Sequence, residues 1–134
     1  MVGVVIVTHG KLAEELLKTA ELIVGHQPQM KTFSVSTLAD DASVYEQLRI
    51  AVKEVNTGQG VFILTDMFGG TPSNLSLPLL DEPGVEVITG VNLPMVVKLA
   101  DPLLKQDMEE LKNLIVEYGK RSILSASDLL KTRK

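Results

Sequence analysis

The residues of this 134-residue chain best suited to chemistry are Thr8-His9-Gly10, at the end of one apolar run, and Thr65-Asp66-Met67, at the end of another. An aspartate that accepts a hydrogen bond from one imidazole nitrogen fixes the tautomer and frees the lone pair of the other nitrogen to attack. It also stabilises the positive charge that attack creates. Such a pair is a nucleophile or a base. The neighbouring loops favour the nucleophile, because Gly10 opens one helix and Gly69-Gly70-Thr71-Pro72 opens another, each presenting unpaired backbone N–H groups to an anion such as phosphate. Glycine lets the backbone approach a ligand closely, and the Thr71 hydroxyl could either donate to a phosphoryl oxygen or cap its own helix. The candidate site is therefore His9 and Asp66 as the reacting pair, with Gly10, Gly69, Gly70 and Thr71 as phosphoryl-binding residues.

For His9 and Asp66 to face each other, the two apolar runs must be neighbouring strands. Val2–Thr8 is rich in Val and Ile, as a strand buried on both faces is. The spacing of Leu12, Leu16, Leu17, Ala20, Ile23 and Val24 predicts a helix over Lys11–Val24, with Gly25 as its stop. A second strand is expected at Lys31–Ser36 and a second helix at Ser43–Val55, with Asp40-Asp41 placed to cap it. Gly60–Thr65 reads as the third strand, leading into a helix from Thr71-Pro72 through about Leu80. Glu86–Thr89 is the expected fourth strand, followed by a helix capped by Asn92 that runs from Leu93-Pro94 towards Asp101. An amphipathic helix over Asp107–Tyr118 should stop at Gly119, and Ser122–Ser125 reads as a last short strand.

This alternation predicts an α/β fold of three layers, a mostly parallel open sheet with helices on both faces and the flavodoxin-like order 2-1-3-4. In such sheets chemistry sits at the carboxyl ends of the strands, where the order reverses, which here is between strands one and three. Those are the strands that end in His9 and Asp66.

Composition narrows the rest. The length suits one domain over residues 1–134, and a hydrophobic content of 45% is ample for one core. A formal charge of −4 supplies no basic field for nucleic acid. The absence of cysteine and of any bilayer-length apolar run leads us to expect an unprocessed, soluble, cytoplasmic protein. No carboxylate cluster joins His9, so neither a metal nor a cofactor is expected. Neither a G-x-x-x-x-G-K-[ST] loop nor a G-x-G-x-x-G turn follows a strand, which argues against nucleotide binding. A receiver domain would phosphorylate Asp66, but it needs an acidic cluster after strand one, where this chain has Thr8-His9-Gly10. His26 lies in a Gly-His-Gln-Pro turn and reads as a solvated loop residue. Met67 and Phe68 either form a patch for a protein partner or pack beneath their loop.

Val7-Thr8-His9-Gly10, the run from Thr65 to Asn74 and Ile88-Thr89-Gly90-Val91-Asn92-Leu93-Pro94-Met95 together resemble the mannose-family IIA domain of the bacterial phosphotransferase system, over nearly the whole chain. The resemblance implies that His9 receives a phosphoryl group from phospho-HPr and passes it to a IIB protein for sugar uptake, with Asp66 orienting the ring. It places Thr71 near the phosphoryl group and makes Gly90–Met95 the third wall of the crevice. It further implies a homodimer whose last strand, here Ser122–Ser125, pairs with the partner's sheet, and a membrane link only through the IIC/IID transporter. Many relatives continue into a IIB domain, whereas this sequence ends at Lys134, so a separate IIB protein is expected. A regulatory module sensed through His9, or the phosphoryl donor subunit of a dihydroxyacetone kinase, would carry similar residues.

Overall fold

The computed structural model describes residues 1–35 and 41–132. Strand β1 (Gly3–His9) leads into helix α1 (Leu12–Val24), β2 (Met30–Val35) into α2 (Asp41–Val55), and β3 (Val61–Thr65) into α3 (Thr71–Ser76), which continues as a 3-10 turn over Leu77–Asp81. Strand β4 (Val85–Thr89) is followed by α4 (Leu93–Leu99), α5 (Met108–Arg121) and α6 (Ala126–Thr132). The four strands form one parallel sheet in the order β2-β1-β3-β4. No helix among the described residues is long and apolar enough to cross a membrane.

The sheet is covered on both faces because its central strands carry unbroken apolar runs, Val4 to Val7 and Val61 to Leu64. On one face Val4, Ile6, Phe62, Leu64 and Ile88 pack with Ala13 and Ala20 of α1, Val96 and Leu99 of α4, and Leu111 and Ile115 of α5. On the other, Val5, Val7, Val61, Ile63 and Val85 meet Leu48, Val52 and Val55 of α2 and Leu79. Helix α1 stops where expected, at Gly25, whose φ of 86° lies in the left-handed region.

Five expectations need correction or lie out of reach. Ser122–Ser125 forms no strand: Ser122 ends α5, residues 123–125 run without pairing, and α6 follows. Its backbone is tied to the flanking helices instead, the Ile123 N–H donating to Lys120 O at 3.3 Å and Ser125 O accepting from the Leu129 N–H at 3.0 Å. Gly119 does not stop α5, which continues to Arg121. Its missing side chain serves packing instead, since a Cβ there would lie 2.6 Å from Met95 Sδ. The helix after β3 is α-helical only to Ser76 and tightens at Leu77-Pro78, where proline has no N–H to continue the ladder. Helix α4 ends at Leu99, two residues short of Asp101. Of the expected Asp40-Asp41 cap, Asp40 falls outside the described residues, while Asp41 is the first residue of α2.

Candidate functional site

Strand β1 pairs with β3 as far as Val7 opposite Thr65 and then runs on to His9. Asp66 follows β3 directly, so the adjacent strand ends bring the two side chains together. His9 Nδ1 lies 2.8 Å from Asp66 Oδ2, and the same oxygen accepts from the His9 backbone N–H at 3.0 Å. The second oxygen, Oδ1, accepts from the Met67 N–H at 3.0 Å. Partial burial pushes the Asp66 carboxyl up, but the hydrogen bonds from His9, the attraction to its ring and the Met67 N–H outweigh it and hold the group below its ordinary value. An ionised carboxylate can only accept, so Nδ1 carries the proton and Nε2 is left with its lone pair.

That nitrogen is reachable. The His9 side chain is 49% exposed, against 15% for Asp66. Gly70 lies along the free edge of the ring: a Cβ built there would sit 2.7 Å from His9 Cε1 and 3.0 Å from Nε2. The backbone of Gly70 is extended, a conformation open to any residue, so the ring alone excludes a side chain. Gly70→Ala should therefore fold normally yet push the imidazole aside, lowering the reactivity of Nε2 about tenfold. Rapid-quench labelling beside a denaturation curve reads both quantities, and an unchanged rate would remove the contact from the site's requirements.

Two further glycines shape the loops. Gly10 (φ 55°) and Gly69 (φ 87°) occupy left-handed backbone and turn the chain from each strand into the following helix. The start of α1 is capped by Thr8, whose buried Oγ1 accepts from the Ala13 N–H at 2.7 Å. Sequence reading overlooked this role, because Thr8 lies inside the strand and five residues from its partner, outside the usual capping spacing. Thr71 is the first residue of α3 rather than its cap; that place belongs to Gly70, with no side-chain hydrogen bond. The exposed Thr71 hydroxyl is left without a partner among the described residues. The third loop is tied in by the Val91 N–H donating to Thr65 O at 2.9 Å, and Asn92 caps α4 through the Met95 N–H.

The residues singled out thus gather at one end of the sheet: His9 and Asp66 in contact, Gly70 against the ring, and Gly10, Gly69 and Thr71 in the two flanking loops. Met67 and Phe68 are exposed rather than packed beneath their loop. His26 stands apart, beyond the far end of α1, where Glu21 accepts both from the Gln27 N–H and from the His26 ring. The arrangement offers a nucleophilic nitrogen, a fixed counter-charge and an anion-compatible rim.

A family model described as PTS system fructose IIA component matches residues 3–116. The mannose-specific EIIAB component of Escherichia coli K12 is 35% identical over 127 residues, covering 91% of this chain and 38% of that protein, so the chain spans under two-fifths of that relative's length. Among solved structures, a PTS IIA protein associated with the fucose utilization operon of Streptococcus pneumoniae superposes with a TM-score of 0.83 at 28% identity, covering 96% of this chain and 95% of that one. A sigma-54 interaction domain protein from Enterococcus faecalis gives a TM-score of 0.68 at 28% identity, over 85% of this chain and 87% of that one. With the sheet order, the histidine-bearing strand end and the family model in agreement over most of its length, the chain belongs to the EIIA-man family of the phosphotransferase system.

Proposed function

We propose that this chain is a phosphoryl carrier of the sugar phosphotransferase system, accepting the group from phospho-HPr on His9 Nε2 and passing it to a IIB domain. The observation that carries the reading is the 2.8 Å contact between His9 Nδ1 and Asp66 Oδ2, which leaves Nε2 free at a half-exposed edge. In the transfer the Nε2–P bond forms as the donor's N–P bond breaks, and the electron pair returns to the donor nitrogen. The proton stays on Nδ1, where the Asp66 carboxylate balances the charge of the phosphorylated ring. Backbone N–H groups around Gly10, Gly69 and Gly70 and the Thr71 hydroxyl hold the phosphoryl oxygens. No cofactor enters this scheme.

Purified protein mixed with phosphoenolpyruvate, enzyme I and HPr should gain the mass of one phosphoryl group, lost in acid and retained in alkali. No adduct, with the same HPr competent on a known acceptor, would sink the carrier reading.

The reading also carries a cytoplasmic location and a homodimer. Strand β4 is an outer strand of the sheet, exposed Ile123 lines a cavity with Val87 and Ile88, and Leu124 next to it is exposed as well, a combination that favours pairing with a second copy. Sedimentation at micromolar concentration should give the mass of two chains, and truncation before Ile123 should give one. A monomeric full-length chain would remove the dimer.

The likeness to a sigma-54 interaction domain protein favours a second reading, in which phosphorylated His9 regulates binding to another protein. The two diverge after phosphorylation: a carrier is discharged by a IIB protein, whereas a regulatory module keeps its group while its partner binds or leaves.

A further inference from the structure

Two hydroxyls that the transfer does not use lie at the same end of the sheet as the reacting pair. Thr65 Oγ1 and Ser73 Oγ are fully buried, and among the described residues neither has a hydrogen-bond partner. A buried polar group left unpaired costs free energy, so each orphan calls for a physical cause. The neighbouring serine shows what is missing. Ser76, as buried as Ser73, donates to Pro72 O, four residues back, at 2.6 Å. The matching acceptor for Ser73 would belong to Gly69, which precedes α3 in left-handed backbone and so presents no helical carbonyl. Thr65 ends a strand, whose side chains stand off the sheet and away from its carbonyls.

The fold carries both hydroxyls into one layer. Side chains alternate along β3, so Thr65 shares the face of Val61 and Ile63. Helix α3 packs on β1 and β3, and its Leu75, with Leu79 just beyond, joins the apolar cluster on that face. Thr65 is the last residue of β3, and Ser73 follows by three residues the Gly70 that lies against the His9 ring.

We infer that Thr65 and Ser73 hold a buried water between them, which ties the start of α3 to the end of β3. Water is the occupant the chemistry selects. Hydroxyls both donate and accept, and a buried water takes about three such bonds, whereas a cation needs charged or imidazole ligands. No group of carboxylates and histidines among the described residues could hold a metal ion. Because Gly70 limits where the imidazole can lie, the bridge also positions the ring for attack, a role that rests on the carrier reading above. Thr65 and Ser73 touch none of the reacting atoms and act as positioning residues.

The test uses Thr65→Val, Ser73→Ala, the double variant and Thr65→Ser in the full chain. If the water is shared, each apolar single variant strands the remaining hydroxyl and lowers the urea midpoint by about 0.5 M, whereas the double variant leaves nothing to strand and recovers most of that loss. Two independent orphans would behave oppositely: each apolar single variant would raise the midpoint, and the bridge would be overturned. A high-resolution crystal structure should show one water within hydrogen-bond distance of both oxygens, and separate waters or none would overturn it too. Phosphoramidate, a small donor that releases ammonia as its N–P bond breaks, reads the ring without a protein donor. Labelling of His9 should slow about threefold in both apolar single variants and stay slow in the double variant despite its recovered stability. Thr65→Ser, which keeps the hydroxyl, should restore both midpoint and rate. A double variant labelled as fast as wild type would overturn the positioning role. A wild type that phosphoramidate leaves unlabelled would remove the nucleophile, and with it the carrier reading and the positioning role, while the signs of the midpoint shifts would still decide the water.

Discussion

His9→Ala should accept no phosphoryl group from phospho-HPr while unfolding within about 1 kcal/mol of wild type. The change removes the nucleophile and nothing else on which the fold depends. The core residues of β1 are Val4 to Val7, all fully buried, whereas His9 is the half-exposed last residue of the strand. Asp66 would lose its bond to the ring but keep the backbone N–H groups of residue 9 and Met67, so no carboxylate is stranded. Nor can the other histidine take over: His26 lies past the far end of α1, about 20 Å of helix away, with its ring held by Glu21. Intact mass and a urea melt on the same preparation check both halves of the prediction. A folded His9→Ala protein that still gains an acid-labile phosphoryl group would move the chemistry to another residue.

The route to His9 was legible because the two strands that carry the site have unbroken apolar sequences. Val4 to Val7 and Val61 to Leu64 are buried on both faces, and a run of that kind in an alternating α/β pattern can only be a central strand. Once both are central and parallel, their carboxyl ends are neighbours, and the residues just past them must meet. The residues whose roles were harder to read depend on contacts between distant segments. Gly70 looks like an ordinary loop glycine until the imidazole is seen against it, and Gly119 looks like a helix stop until Met95 is seen to need its space. Thr71 was open to two uses, and only the start of α3 at that residue, with Gly70 as cap, leaves its hydroxyl unengaged. Ile123 and Leu124 have the composition of a strand, but a strand is a relation between two segments, and among the described residues this one is bonded only to the helices on either side.

Asp66→Asn should keep the fold and slow phosphoryl acceptance by about a hundredfold or more. The reason lies in how the three donors around the carboxylate are arranged. Oδ2 accepts from both the His9 backbone N–H and Nδ1, and Oδ1 accepts from the Met67 N–H, so every polar contact of this side chain faces a donor. An amide has only one accepting oxygen. With that oxygen towards His9, the ring keeps its proton on Nδ1 and its lone pair on Nε2, but the NH2 group opposes the Met67 N–H. In the opposite orientation the NH2 group opposes the His9 N–H and donates to Nδ1, which moves the ring proton to Nε2 and removes the nucleophile. The first orientation retains a reactive ring without the charge that balances its phosphorylated form, so activity falls but survives. In the wild type the carboxyl is held below its ordinary value, so its contribution to stability is complete above 3.8, the ordinary aspartate value, and is lost only as the pH falls through the lower folded one. The slowing in Asp66→Asn should therefore persist at neutral pH, where the wild-type carboxylate is fully ionised. Single-turnover transfer from phospho-HPr measures it, and a rate equal to wild type would show that His9 attacks without the help of Asp66.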